Sequence, residues 1–121
     1  MGPLPKPEII ITHDGDLDGL LSGMLLQKLS ATLYGGEVRL LAYQTHAWHS
    51  RGLRESAAWG SDLAFEERMD RINWVVVDQH ITTAKATKAR LVHDQKKSAC
   101  LLAYELCREH GLESETLDRL V

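Results

Sequence analysis

The segment Glu8–Thr12 holds three consecutive isoleucines, Ile9, Ile10 and Ile11, with no alternation between apolar and polar positions. A strand with one wet face alternates; an unbroken β-branched run suits a strand covered on both faces, as inside a parallel sheet. Asn73–Val77 repeats the pattern, with Trp74 and three valines leading into Asp78. Further strands are expected at Val38–Tyr43, Ala57–Ser61 and, as a brief edge strand, Arg90–His93. A helix is expected from Asp18 to Leu33, with Leu21, Met24, Leu25, Leu29 and Leu33 on one stripe and Gly35-Gly36 as its stop. A second helix is expected near Phe65–Arg71. A third spans Ser98–His110, with Ser98 as N-cap and Gly111 as stop. Another is expected to start within Glu113–Leu120. Thr45–Glu55 carries no clear period. The order of elements predicts an α/β fold: a parallel sheet flanked by helices, a Rossmann-like layer.

Length and charge narrow what such a layer can do. The chain has 121 residues, the size of one domain, so residues 8–121 are read as a single unit behind an unstructured, proline-containing lead at residues 1–7. No apolar run approaches the roughly 20 residues that span a bilayer, and nothing resembles a secretory signal, so a cytoplasmic protein is expected. Cys100 and Cys107 are too few for a disulfide framework and are read as small core residues. A formal net charge of −3 leaves no broad basic surface for gripping nucleic acid. If the chain handles phosphates, local devices such as bound cations must do so.

The turn after the isoleucine strand is the most informative stretch. Asp14, Asp16 and Asp18 alternate between a buried strand and a helix, and three close carboxylates repel one another unless cations sit among them. In open α/β sheets, ligands bind beyond the carboxyl ends of the strands, where this turn lies. Oxygen-rich donors with an occasional histidine suit Mg²⁺ or Mn²⁺. The plain alternative is that Asp16 or Asp18 caps the helix and the rest is solvated turn, although capping needs only one such residue. A calcium loop of EF-hand type fails, because its twelfth position would be Leu25 in place of a bidentate glutamate.

Val75-Val76-Val77-Asp78-Gln79-His80 repeats the logic of a buried strand running into a carboxylate and an imidazole. With both motifs in order, the chain resembles the DHH phosphoesterase superfamily, which includes RecJ-like exonucleases, oligonucleotide phosphodiesterases and family II inorganic pyrophosphatases. His13–Gly19 is similar to the first, Asp-x-Asp-Gly motif. Asp62 is the best match to the second, a lone aspartate. Val75–His80 is similar to the namesake Asp-His-His, and Ser98–Leu106 to the helix that follows. The resemblance spans about Ile9 to Leu106. It implies two divalent cations, Mn²⁺ or Mg²⁺, that activate water against phosphorus in a nucleic acid or nucleotide. It further implies that Asp16 and Asp18 are ligands with His13 or Asp14 assisting, and that Asp62 bridges the ions. His80 would act at the phosphate or leaving group, and Asp78 would orient its neighbours or complete a coordination shell. Asp16–Gly19 also resembles the aspartate pair of haloacid-dehalogenase phosphatases, but there the strand runs directly into the first aspartate.

Two departures stand out. Gln79 occupies the position of the family's first histidine and is a poorer manganese ligand, as a natural variation or an introduced change. The family domain also continues to a fourth metal-binding aspartate and a substrate-gripping second domain, so a fragment or a minimal member is expected. Asp94 and Asp118 are candidates for that ligand without a matching context. The rival class is a non-catalytic nucleotide-binding or interaction module. His46, Trp48 and His49 are read as loop packing or as the mouth of a substrate site, and Arg51 and Arg54 as phosphate contacts or solvated charges. Lys85, Lys88, Arg90, Lys96 and Lys97 form the one basic concentration.

Overall fold

The computed structural model describes residues 3–112. Its strands are β1 (Ile9–His13), β2 (Arg39–Tyr43), β3 (Ala58–Ser61), β4 (Trp74–Asp78) and β5 (Arg90–His93). Its helices are α1 (Leu17–Tyr34), the short α2 (Thr45–Ser50) and α3 (Ala99–Glu109). All five strands are parallel, in the order β2-β1-β3-β4-β5. The expected parallel sheet flanked by helices is therefore present.

The apolar runs are buried for the reason their composition implies. Ile10, Trp59, Val75 and Val77 face one layer, packed with Leu25, Leu26 and Leu29 of α1 and with Leu102, Ala103 and Leu106 of α3. Ile9, Ile11, Ala58, Trp74 and Val76 face the other, where Trp48, Leu63, Phe65 and Met69 cover them. Each large aliphatic side chain so buried contributes about 1.5–3 kcal/mol. A strand sandwiched this way has no solvent face and so no use for alternation.

Several expectations shift. β1 and β4 each run one residue further than expected, which puts His13 and Asp78 on the strands themselves. Phe65–Arg71 forms only a 3₁₀ turn at Glu67–Met69. The patternless Thr45–Glu55 contains α2, too short to show a period. On α1, Met24 is 55% exposed while Leu26 is fully buried. The helix lies on the sheet through Leu25, Leu26 and Leu29 together with Gly19, Ser22, Gly23 and Ser30, so the expected leucine stripe is buried at Leu25 and Leu29, small residues widen that face, and Met24 lies outside it. Gly35 closes α1 at φ 74°, its N–H donating to the Ala31 carbonyl.

In the described part of the lead, Leu4 is buried in the core, the Trp59 indole N–H donates to the Pro5 carbonyl at 2.8 Å, and the Tyr34 hydroxyl donates to the Leu4 carbonyl. Among the described residues no helix is long and apolar enough to cross a membrane. The helix expected within Glu113–Leu120, and Asp118 with it, lie outside the described residues.

The strand order sets the site. From β1 the chain moves outward to β2, then crosses back to place β3 on the other side of β1. The carboxyl ends of β1 and β3 therefore flank a topological switch point, where helices and loops diverge and leave a crevice.

Candidate metal centre

His13 ends β1, and Asp62 directly follows β3, so both side chains stand at the switch point. Asp16 is the N-cap of α1, its Oδ1 accepting the Gly19 N–H at 3.0 Å, an arrangement worth about 1 kcal/mol to the helix. The capping expectation thus holds for Asp16, and its carboxylate still reaches the site. Among the described residues, His13, Asp16 and Asp62 form the one group of three whose ligand atoms lie within 4.8 Å of one another.

Their backbone settings explain the convergence. Gly19 lies so close to β1 that a Cβ there would stand 2.2 Å from the His13 carbonyl oxygen and 2.9 Å from Asp62 Oδ2. Only glycine lets the first turn of α1 sit against the strand end. Three buried hydroxyls fasten that turn: Thr12 Oγ1 and Ser22 Oγ lie 2.7 and 2.9 Å from the Gly19 carbonyl oxygen, and both stand 2.9 Å from Ser61 Oγ. Asp62 adopts φ 57°, a left-handed conformation in which Asp and Asn are enriched, while its N–H continues the ladder to the Val77 carbonyl at 3.0 Å.

The imidazoles are held in defined states. A backbone N–H can only donate, so the bond from Gly15 N to His13 Nδ1 at 3.2 Å makes Nδ1 an acceptor. The neutral ring then carries its proton on Nε2, which faces Thr45 Oγ1 at 3.1 Å. Nδ1 lies 3.7 Å from Asp62 Oδ2. His80 Nδ1 stands 2.5 Å from Asp78 Oδ1, and Asp78 is fully buried with its other oxygen accepting the Phe65 N–H at 3.3 Å. His80 Nε2 is left facing the crevice, 4.0 Å from Asp62 Oδ1. Asp78 thus acts on the site through His80.

Asp62 is the electrostatic focus. Burial raises its carboxyl pKa above the ordinary value; the Gln79 hydrogen bond pulls it back, Asp16 and Asp18 raise it further, and His80 opposes them. Such a group, buried among other carboxylates, gains most from a cation.

The remaining sequence-predicted residues fall elsewhere. Asp14 is exposed and outside the group, its backbone N–H donating to the Tyr43 carbonyl. Asp18 turns toward α3: its two oxygens accept the N–H groups of Cys100 and Ala99 at 2.8 and 3.1 Å. Those are free donors of a helix N-terminus, which favour a carboxylate. Asp94 accepts the Lys96 N–H in a local turn. Gln79 donates from Nε2 to Asp62 Oδ1 at 2.9 Å, and its own Oε1 is buried without a partner.

A cavity of about 250 Å³ opens beside the group, its lining including His13, Asp62 and His80 together with Thr45, Trp48, His49 and Glu66. Trp48 is both buried packing and cavity wall, with Arg68 stacked 4.7 Å from its ring centre. His46 is exposed and does not line the cavity. Arg51 pairs with Glu55, and Lys97 with Glu105. Cys100 and Cys107 are buried thiols whose pKa burial raises.

Sequence reasoning missed Thr12, Ser22, Ser61 and Thr45. The available signal was a hydroxyl closing each of two apolar strands, Thr12 and Ser61, which pair directly across β1 and β3.

The donor set could hold a metal ion. Bonds of about 2.1 Å place an ion's ligands roughly 3–4.2 Å apart, and the His13–Asp62 separation of 3.7 Å falls in that window. One imidazole nitrogen with carboxylate oxygens accommodates borderline and hard cations. No family model, curated protein or solved structure matches the chain.

Proposed function

We propose that the chain is a metal-dependent phosphoesterase domain of DHH type, acting in the cytoplasm on phosphodiester bonds of nucleic acid or nucleotides with Mn²⁺ or Mg²⁺. The observation that carries this reading is the convergence of His13, Asp16 and Asp62 at the switch point, with His80 aimed at the same crevice. The Asp16 and Asp62 carboxylates would hold the ion together with His13 Nδ1, which would exchange its 3.2 Å bond from the Gly15 N–H for the ion. A bound cation supplies positive charge for phosphate oxygens and lowers the pKa of coordinated water.

The protein's own groups supply the rest. Asp78 fixes the His80 ring through Nδ1, so Nε2 is the atom that takes or gives a proton at the crevice. Thr45 holds the outer nitrogen of His13 and thereby its rotation, the usual role of a ligand's hydrogen-bond partner. Trp48 and Leu63 close one wall against water.

Calorimetric titration with Mn²⁺ tests the site on the intact chain and on Asp62→Asn. Asparagine retains an acceptor for Gln79 and suits the positive φ, while removing a buried carboxylate whose raised pKa signals a cost of ionisation. Binding is expected to weaken by about tenfold or more, with the thermal midpoint unchanged or higher. Equal Mn²⁺ binding by both proteins would remove the site. In the same preparation, His80→Ala is expected to slow manganese-dependent cleavage of bis-p-nitrophenyl phosphate by about 10²–10⁴.

A second reading, a non-catalytic nucleotide-binding or interaction module, is favoured by Gln79, whose amide occupies Asp62 where a metal-ligating histidine is expected from the family. Nucleotide binding with no cleavage at saturating Mn²⁺ would establish that reading over the first.

A further inference from the structure

The resemblance implies two ions, yet the donors present divide unequally. On one side of Asp62, Oδ2 stands with His13 Nδ1 and the Asp16 carboxylate, a set of one nitrogen and several oxygens in which local backbone N–H groups engage only His13 Nδ1 and Asp16 Oδ1. On the other side, Oδ1 is engaged by the Gln79 amide at 2.9 Å. His80 Nε2 lies 4.0 Å from Oδ1 on this side. Both Asp78 oxygens are taken, one by the His80 ring and one by the Phe65 N–H. Asp18 is likewise spent on the N-terminus of α3.

We infer that Gln79 restricts this centre to a single divalent ion, because its amide N–H group stands against Asp62 Oδ1 on the side where a second ion would have to sit. The amide directs its donor edge at the carboxylate, and its carbonyl oxygen is buried without a partner. A partial positive charge thus stands against Oδ1 where a bridged pair would put a second cation. The amide offsets part of the carboxylate's charge, so the pull on a second cation is smaller as well. Asp62 would then offer the single ion its Oδ2, the oxygen that lies 3.7 Å from His13 Nδ1.

The inference rests on the ion-binding reading above and is distinguishable from it. A histidine at 79 would replace the donor with an imidazole beside Asp62 Oδ1 and His80 Nε2, creating a second donor set. The test is Mn²⁺ titration calorimetry together with electron paramagnetic resonance at saturating Mn²⁺, on the full chain and on Gln79→His. The expected result is one ion and an isolated six-line Mn²⁺ spectrum for the chain as it stands. Gln79→His is expected to take two ions and to give the broadened spectrum of a spin-coupled pair. Two ions in the unaltered chain would overturn the inference while leaving the ion-binding reading intact. One ion in a Gln79→His protein with an unchanged circular dichroism spectrum would also overturn it. Absence of binding to either protein would overturn both. The unaltered chain's stoichiometry decides the matter even if the variant does not fold.

Discussion

The turn after β1 and the loop after β4 read alike as sequence: a fully buried apolar strand running into aspartate and histidine. The structure uses them differently. After β1, His13 and Asp16 face an open crevice, oriented by hydrogen bonds to Gly15, Gly19 and Thr45; the Asp16 carboxylate keeps lone pairs to spare, and His13 Nδ1 has only the weak 3.2 Å bond from the Gly15 N–H to give up for an ion. After β4, Asp78 is fully buried and both of its oxygens are engaged, so the loop offers the crevice one imidazole. The difference teaches that a strand-end carboxylate becomes available for ligand only where the switch point leaves space beside it. Where a covering segment passes close, as Phe65 does over Asp78, a backbone N–H takes the carboxylate first. Asp18 makes the same point within the first turn, since the N-terminus of α3 reaches it across 81 residues of sequence.

The largest expected effect breaks the first region outright. Gly19→Ala places a Cβ 2.2 Å from the His13 carbonyl oxygen, a backbone atom that cannot swing aside. It should destabilise the domain by about 3 kcal/mol or more and abolish Mn²⁺ binding, as measured by chemical denaturation and calorimetry.

A smaller effect separates the two aspartates that flank Leu17. Asp18→Ala strips two charge-assisted bonds from the start of α3 and should cost about 2–3 kcal/mol, seen as a drop of roughly 10 °C in thermal midpoint. Mn²⁺ affinity should stay within about threefold of the parent, because an ordinary ligand loss costs tenfold or more. A collapse of affinity with the fold intact would return Asp18 to the metal site.

The smallest effect comes from a carboxylate at the amino end of β4, away from the carboxyl ends that form the site. Asp70 precedes β4 and accepts the N–H groups of Thr87, Lys88 and Ala89 along with the Thr87 hydroxyl, which hold its pKa well below the usual carboxylate range. Its contribution is complete above the ordinary value of 3.8 and is lost as pH falls toward the depressed folded value. The difference in thermal midpoint between the parent and Asp70→Asn should therefore be constant from neutral pH down to the ordinary carboxylate range and shrink below it. A difference that grows on acidification would contradict this assignment.

What could be read from the chain alone was largely what short-range pattern encodes. The isoleucine and valine runs marked buried parallel strands, because an unbroken apolar β-branched segment has few other places to go. Ser98 marked the start of α3, since its hydroxyl can satisfy the Leu101 N–H. Leu25 and Leu29 of the expected α1 stripe are buried, but the close approach of α1 to the sheet was not legible, because glycines and serines carry no hydropathy signal for it. α2 escaped notice because six residues hold under two turns.

Composition and periodicity in the sequence thus determined the parallel α/β layer and placed acidic and imidazole groups at two strand ends, since burial on both faces is a local property of a run. Only the tertiary structure decided which of those groups share a crevice. Strand order alone sets the carboxyl ends of β1 and β3 side by side, and which lone pairs survive there depends on backbone N–H groups that arrive from Phe65, Ala99 and Cys100. Competition for an acceptor between segments far apart in the chain has no period and no motif, so it becomes visible only when the segments have been packed.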